Sequence, residues 1–448
     1  MNIKQFEDKN LAHFSYAIVS DCGDTIMLID PARNPQPYLD FAKEKNATII
    51  GVIETHPHAD FVSSHLEIYQ TTGAPIYCSK LVGATYPHKT FDEGQHIKLG
   101  NITLSAIQTP GHSPDSICIL LCQNNKQKAV FTGDTLFIGD CGRPDLRENA
   151  GHITATRQSL ARDMYYSLRD KLLVLDDAVI VYPAHGAGTL CGKALSDAKS
   201  STIGAERISN WSLQTMTEED FVRELIAEQP FIPKYFGFDV AINRKGASAF
   251  KTSVAAVKRM GFLNDESFKN LNSDVIAIDT RPENIYKKGH LPNTFNIMNG
   301  DKFETWLGSI IAPTEPFYLI AETENDIEEL IARTAKIGYE TQIKSAFMGH
   351  FFSQKSDILD IRHFRENIEN YTIIDIRNPM EVSEKKLFAN SINIPLAELR
   401  ERINEVPTEK SILVHCAGGY RSAAGSSIVK TLLPNQTVYD LGEAVNTF

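Results

Sequence analysis

The stretch Thr55-His56-Pro57-His58-Ala59-Asp60 decides how the first half of this chain is read. It follows the apolar run 48–54, so an expected strand ends where three potential metal-binding side chains begin. Imidazole and carboxylate together suit borderline divalent metals, and alternating residues of an extended loop can point to one side. Three further pieces stand in order behind it: Thr109-Pro110-Gly111-His112, Phe131-Thr132-Gly133-Asp134 and Tyr182-Pro183-Ala184-His185. Each follows a strand-like run and begins a turn, and strand-end loops are where sites are built in layered α/β proteins. His56, His58, Asp60, His112, Asp134 and His185 are therefore six candidate ligands, and spacing alone does not choose among them.

Outward from that core, strands are expected at 25–30, 48–54, 102–108, 116–122 and 179–182, with helices at 61–73 and 154–172. The pattern turns helical at 200–228, Pro230 and Pro233 break it, and 231–248 reads as a mixed connector. A new α/β pattern starts near Ala249. Within it, Val275-Ile-Ala-Ile-Asp279-Thr-Arg281-Pro282 recurs as Thr372-Ile-Ile-Asp375-Ile-Arg377-Asn-Pro379, and Asn293-Thr-Phe-Asn-Ile recurs as Asn390-Ser-Ile-Asn-Ile. The offset is domain-sized and too long for a solenoid unit. Three domains are expected, at 1–240, 250–350 and 355–448.

A second chemical signal lies in the last of these, Ser411-Ile-Leu-Val-His415-Cys416-Ala-Gly418-Gly419-Tyr420-Arg421-Ser422. A strand delivers Cys416 to a glycine-rich loop, and a helix is expected over 422–432. Loop and helix amides would converge on the sulfur, suiting an anionic nucleophile and a bound anion. Cys416 is the candidate nucleophile, with Gly418, Gly419 and Arg421 as its anion-binding loop.

Composition narrows the partners. A net charge of −11 disfavours nucleic acid and anionic membrane surfaces. No run approaches the roughly 18 apolar residues of a membrane span, and the polar start MNIKQFEDKN shows no secretory leader. Seven cysteines, odd in number and never spaced CxxC, argue against a disulfide framework. The reading is a reduced, cytoplasmic protein.

The ordered metal pieces resemble the metallo-β-lactamase superfamily over about residues 10–195, which implies an αββα fold. The run 136–145, LFIGDCGRPD, is similar to the signature after the metal aspartate of persulfide dioxygenases. In that family one Fe(II) per chain is held by two histidines and an aspartate. The resemblance places them at His56, His112 and Asp134, and leaves His58, Asp60 and His185 to orient ligands or water. Two imidazoles and one carboxylate leave coordination positions open for substrate and O2. Binuclear hydrolases such as glyoxalase II extend the run to HxHxDH, but here the last position is Phe61, which cannot coordinate.

Two further residues are substrate-binding candidates. Arg143 would anchor a substrate carboxylate or make a structural salt bridge with a nearby Asp. Cys191, just beyond His185, would line the iron cavity and accept sulfur, or simply pack. Glu206, Arg207 and Asn210 resemble a segment of fusions between this domain and rhodanese, with no role attached.

The Cys-x-x-Gly-x-Arg loop with Asp375-Ile-Arg377 upstream resembles rhodanese. Four residues separate Cys416 from Arg421, where tyrosine phosphatases need five, and the shorter loop goes with sulfur transfer. In the first repeat, Ala321 falls at the nucleophile position, Glu324 on the glycine and Asp326 on the arginine, so that repeat resembles a pseudorhodanese. The expected architecture is an α/β chain, an N-terminal αββα metallo-β-lactamase fold followed by two α/β rhodanese-like domains.

The resemblance to persulfide dioxygenase–rhodanese fusions of bacterial sulfide detoxification covers nearly the whole chain. It implies oxidation of a low-molecular-weight thiol persulfide by O2 to sulfite, with a Cys416 persulfide carrying sulfur to give thiosulfate. That family tends to form homo-oligomers. A zinc-dependent glyoxalase II-like thioester hydrolase fused to rhodanese, or a persulfide carrier or sensor, are the rival readings.

The degenerate loop yields a test. Ala321→Cys alone should create no sulfurtransferase activity, because Glu324 and Asp326 repel an anionic donor. Appreciable thiosulfate sulfurtransferase activity created by that single substitution would show that loop geometry outweighs charge.

Overall fold

Alternation within single strands explains the layers of the N-terminal unit. In His13–Val19, Phe14, Tyr16 and Ile18 face one apolar cluster while Ala17 and Val19 face another; Thr25–Ile29 divides the same way, Met27 and Ile29 against Ile26 and Leu28. Successive side chains of a strand point to opposite faces, so a strand apolar at every position must be covered on both sides.

The computed structural model describes residues 2–148, 150–193, 195–349 and 352–448; His350, the last residue of the expected second domain, lies outside them. Two compact units are found: one runs to Ser253 and takes in Ala335–Gly338, the other holds Val254–Thr334 and Tyr339–Phe448.

In the first unit, β1 (Asn2–Asp8), β2 (His13–Val19), β3 (Thr25–Ile29), β4 (Thr48–Ile53), β5 (Ile76–Cys78) and β6 (Lys89–Thr90) form one sheet in sequence order. The second sheet holds β7 (His96–Leu99), β8 (Ile102–Gln108), β9 (Ile117–Gln123), β10 (Lys126–Gly133), β11 (Ile180–Pro183) and β12 (Ser201–Thr202). Their inner faces share one core, in which Tyr16, Met27 and Ile53 join Leu104, Ile119 and Phe131. Helix Gln36–Glu44 covers the first sheet through Tyr38 and Phe41. Helices Arg157–Tyr166 and Glu218–Ile226 cover the second through Met164, Phe221 and Leu225. This is the αββα sandwich expected from the sequence. Each large apolar side chain so buried contributes about 1.5–3 kcal/mol.

Some local expectations change. The segment read as a mixed connector contains the helix Phe236–Lys245. The helix expected from residue 61 begins at His65, and residues 61–64 belong to the loop that carries the metal candidates.

The second unit contains two sheets. The first has the order β13-β17-β16-β14-β15, from β13 (Arg259–Leu263), β14 (Ile276–Asp279), β15 (Thr294–Asn296), β16 (Phe317–Ala321) and β17 (Ile343–Gly349). The other has the order β19-β18-β20-β21, from β18 (Tyr371–Asp375), β19 (Ile392–Asn393), β20 (Ser411–His415) and β21 (Val438–Asp440). All their pairings are parallel.

Register ties the two sheets together. Asp279 pairs with Ile320, which precedes Ala321, and Asp375 pairs with His415, which precedes Cys416. Arg281 grips Asp279 at 2.9 and 2.6 Å, and Arg377 grips Asp375 at the same distances. Ala321 thus stands in the first sheet where Cys416 stands in the second. Among the described residues, no helix is long and apolar enough to cross a membrane.

Candidate functional site

The six candidate ligands lie just beyond β4, β8, β10 and β11, and all six are at most 4 % exposed. The hydrogen bonds around them set their tautomers. Asp30, past the end of β3, accepts bonds from the Thr55 amide and hydroxyl, both at 2.8 Å. With its hydroxyl hydrogen committed to Asp30, Thr55 Oγ1 accepts from His56 Nδ1 at 3.1 Å. His112 Nδ1 donates to the Arg143 carbonyl at 2.9 Å. Both rings therefore turn an Nε2 lone pair toward Asp134, whose Oδ2 lies 3.8 Å from His56 Nε2 and 3.4 Å from His112 Nε2.

His56, His112 and Asp134 can bring one ligand atom each within 4.8 Å of one another. Burial, followed by neighbouring imidazoles, holds His56 well below the ordinary imidazole range. Burial lowers His112 too, although Asp134 opposes it. Burial would raise Asp134, but His185, His112 and His58 outweigh it and keep the carboxyl low. Neutral imidazoles and an ionised carboxylate are the forms that bind a metal. His56 Nε2 and both Asp134 oxygens are buried without a hydrogen-bond partner. A divalent cation fits this donor set.

His58, Asp60 and His185 form a second such group, and Asp134, His185 and Cys191 a third. The structure thus gathers all six candidates and Cys191. His185 Nε2 lies 3.4 Å from Asp60 and 3.5 Å from Asp134. His58 Nε2 lies 3.4 Å from Asp30. Burial opposes protonation of His58, yet Asp30, with Asp134 and Asp60, pushes it up to about 9. The Phe61 ring lies 4.4 Å from the His58 ring and 3.8 Å from that of His13, so an apolar ring packs against this second group. Burial, then Asp60 and Asp134, raises the Cys191 thiol well above its usual range.

Arg143 requires a correction. Its guanidinium makes five hydrogen bonds, two to Asp145 at 2.7 and 2.8 Å and others to the carbonyls of Leu190, Pro230 and Phe231. Five donors are all a guanidinium has. Arg143 therefore fastens its own loop and has no donor left for a substrate carboxylate.

Other site-building residues carry no local sequence signal. Asn243, on helix Phe236–Lys245, donates to the carbonyls of His58 at 2.8 Å and Phe61 at 2.7 Å, and accepts from the Ser63 amide at 2.8 Å. One side chain thus fixes the ligand loop across some 180 positions of chain. His13, buried on β2 beside His58, Phe61 and His185, was likewise not anticipated. Glu206 and Asn210 gain a structural role. Glu206 accepts from the Gly139 amide and from Asn210, which also donates to the carbonyls of Phe137 and Asp140, so both hold the loop after Asp134. Arg207 instead pairs with exposed Asp177.

In the second unit, the Gly419 amide donates to Cys416 Sγ at 3.1 Å. Gly419 has φ +99°, and a Cβ there would lie 2.8 Å from the backbone of Gly442 and Glu443. Gly418 is exposed, with open space around it. Arg421 is gripped by both oxygens of Glu381 at 2.6 Å, which takes two of its five N–H donors, and it also interacts with Cys416. In the other repeat, Glu324 and Asp326 occupy the first turn of helix Glu324–Ala335.

Sequence and structure comparisons agree with this geometry. Residues 9–185 match the metallo-beta-lactamase superfamily and residues 355–444 the rhodanese-like domain. A metallo-beta-lactamase structure from Staphylococcus aureus subsp. aureus COL is 30% identical, with a TM-score of 0.69, over 78% of this chain and 99% of that one. The chain belongs to the metallo-beta-lactamase superfamily. Within the superfamily, the mitochondrial persulfide dioxygenase of Homo sapiens is 29% identical over 47% of this chain and 74% of its own. The probable hydroxyacylglutathione hydrolase of Schizosaccharomyces pombe is 30% identical over 39% of this chain and 63% of its own. This superfamily member also carries a C-terminal rhodanese-like domain.

Asn243 supplies a prediction. Asn243→Ala strands a buried amide and removes two bonds to carbonyls, at a cost of about 1–3 kcal/mol. The variant should melt earlier and bind less metal per chain than the wild type. Unchanged melting and metal content, by calorimetry and elemental analysis, would show that the ligand loop holds itself.

Proposed function

We propose that this chain is a persulfide dioxygenase whose C-terminal domain is a sulfurtransferase. The observation that carries the proposal is the buried group His56, His112 and Asp134, two imidazoles offering Nε2 and one carboxylate, with Phe61 packed against the neighbouring His58. These three residues would hold one Fe(II) per chain, which supplies the coordination positions and electron transfer that a reaction of O2 with a persulfide requires. Kinship to the human persulfide dioxygenase supports the same choice.

The protein's own groups then have distinct tasks. Burial keeps bulk water from the reacting sulfur. His185 Nε2, between Asp60 and Asp134, is placed to take a proton. Cys191 lies beside Asp134 and His185 as a neutral thiol. One thiol persulfide, one O2 and one water give one thiol and one sulfite, with release of two protons.

At the second site, the Cys416 thiolate takes the outer sulfur of a persulfide and releases thiol. Sulfite then attacks the outer sulfur of the Cys416 persulfide, the S–S bond breaks, and thiosulfate leaves with Cys416 restored as thiolate. The Gly419 amide, already bonded to the sulfur, and the exposed Gly418 backbone would hold the anion, with Arg421 joining through the donors that its pairing with Glu381 leaves. Tethering the two sites raises the effective concentration of sulfite at Cys416. The first repeat, with Ala321 and two acidic residues in its loop, is proposed to be a pseudorhodanese without chemistry of its own.

A zinc thioester hydrolase is the second reading. It is favoured by the group His58, Asp60 and His185 and by kinship to the fission-yeast protein. Metal content decides between them. One iron per chain is expected, with O2 uptake on a thiol persulfide, and His56→Ala, His112→Ala and Asp134→Ala should each lose both. Two zinc ions per chain with no O2 uptake would sink the dioxygenase reading.

Product analysis tests the coupling. The wild type should convert persulfide and O2 mainly to thiosulfate, whereas Cys416→Ser should keep its O2 uptake and shift the product to sulfite. An unchanged thiosulfate yield, after correction for spontaneous reaction of sulfite with persulfide, would remove Cys416 from the sequence.

A further inference from the structure

The first repeat keeps its fold without a nucleophile, and its contacts with the Cys416 loop suggest why. Tyr420 is the first residue of helix Tyr420–Leu432 and directly follows Gly419, the residue bonded to the Cys416 sulfur. Its hydroxyl donates to the Met298 carbonyl at 3.1 Å. Gly300 lies flat against the ring: a Cβ there would come within 2.9 Å of Tyr420 Cε2 and 3.1 Å of its hydroxyl. The segment that receives Tyr420 is itself pinned. Arg333 donates to Asn299 Oδ1 at 2.5 Å and to the Gly300 carbonyl at 2.7 Å, while both oxygens of Glu304 hold its guanidinium.

We propose that Tyr420 is a positioning residue, through which the Met298–Gly300 segment of the first repeat sets the geometry of the Cys416 loop. The inference rests on the reading that Cys416 carries sulfur. Gly419 is closely packed, because a Cβ there would come within 2.8 Å of the backbone of Gly442 and Glu443. The position of Tyr420 therefore decides where the first amides of the helix point, and those amides have no partner within the helix. A cavity of about 310 Å³ borders Tyr420, Met298, Gly300 and Asp326, so the ring has space to move into if its hydroxyl is released. Along the same helix, Ser427 accepts from the Asn296 amide at 2.9 Å and Thr431 donates to the Thr294 carbonyl at 3.2 Å, which aligns the helix with β15. The degenerate repeat would thus act as the rigid support of an active loop rather than as a second active site.

The test uses full-length protein, thiosulfate as sulfur donor and a small thiol as acceptor, together with the rate of Cys416 alkylation by iodoacetamide, read by peptide mass spectrometry. Tyr420→Phe should lower kcat two- to fivefold and Gly300→Ala about tenfold, each with KM within twofold, and both should change the Cys416 alkylation rate. In a Tyr420→Ala background, Gly300→Ala should cost nothing further, because its effect runs through the ring. Full kcat in Tyr420→Phe and Gly300→Ala, or purely additive losses in the double variant, would overturn the proposal. Tyr420→Phe removes a single oxygen, so it remains decisive if the glycine variant does not fold. Retention of sulfur transfer by Cys416→Ser would instead overturn the reading of Cys416 on which the proposal rests.

Discussion

Asp134 is a carboxylate taken out of water, and the arrangement of the N-terminal unit follows from what it needs. It is 1 % exposed, and neither oxygen has a conventional hydrogen-bond partner. What it has is imidazole: Nε2 of His112, His185 and His56, at 3.4, 3.5 and 3.8 Å. Burying an ion costs several kcal/mol unless opposite charge meets it. A divalent cation among these atoms would satisfy the carboxylate and the imidazole lone pairs together. On the neighbouring side, Phe61 and His13 pack their rings against His58.

Holding such a cluster requires support from distant chain. Asp30 orders Thr55, and through it the His56 ring. Asn243 holds the backbone of His58, Phe61 and Ser63. Glu206, Asn210 and Asp140 brace the loop after Asp134, with Trp211 donating to Asp140 at 2.7 Å. Arg143 belongs to this group, because its donors are spent on Asp145 and three carbonyls. These residues set the position and tautomer of the candidate ligands, which is what metal affinity depends on beyond the ligands themselves.

The second unit separates fold from chemistry. Each of its two sheets has a strand ending in an Asp–x–Arg clasp, in the same register with its neighbour, yet in one that neighbour ends in Ala321 and in the other it leads to Cys416. The same frame carries a thiol in one copy and none in the other, so the proposed sulfur transfer depends on the loop and not on the fold. Within the Cys416 loop, the Gly419 amide donates to the sulfur, and Arg421, paired with Glu381, also interacts with Cys416.

Short-range pattern determined much of this. The HxHxD run, the turns at His112, Asp134 and His185, the Cys416 loop and the repeat are each written within a few consecutive residues, because strand ends place neighbours in sequence together in space. The αββα order follows from strands whose alternate residues are apolar on both faces. Tertiary structure alone decided the rest. Asn243 lies in what reads as a connector, and nothing local marks His13 as a neighbour of His58. Whether Arg143 and Arg421 are free or paired depends on carbonyls and carboxylates brought in from other segments. That Tyr420 meets Met298 requires both repeats to be folded. A hydrogen bond between residues far apart in the chain leaves no periodicity in the sequence, since its partners are set by packing rather than by spacing.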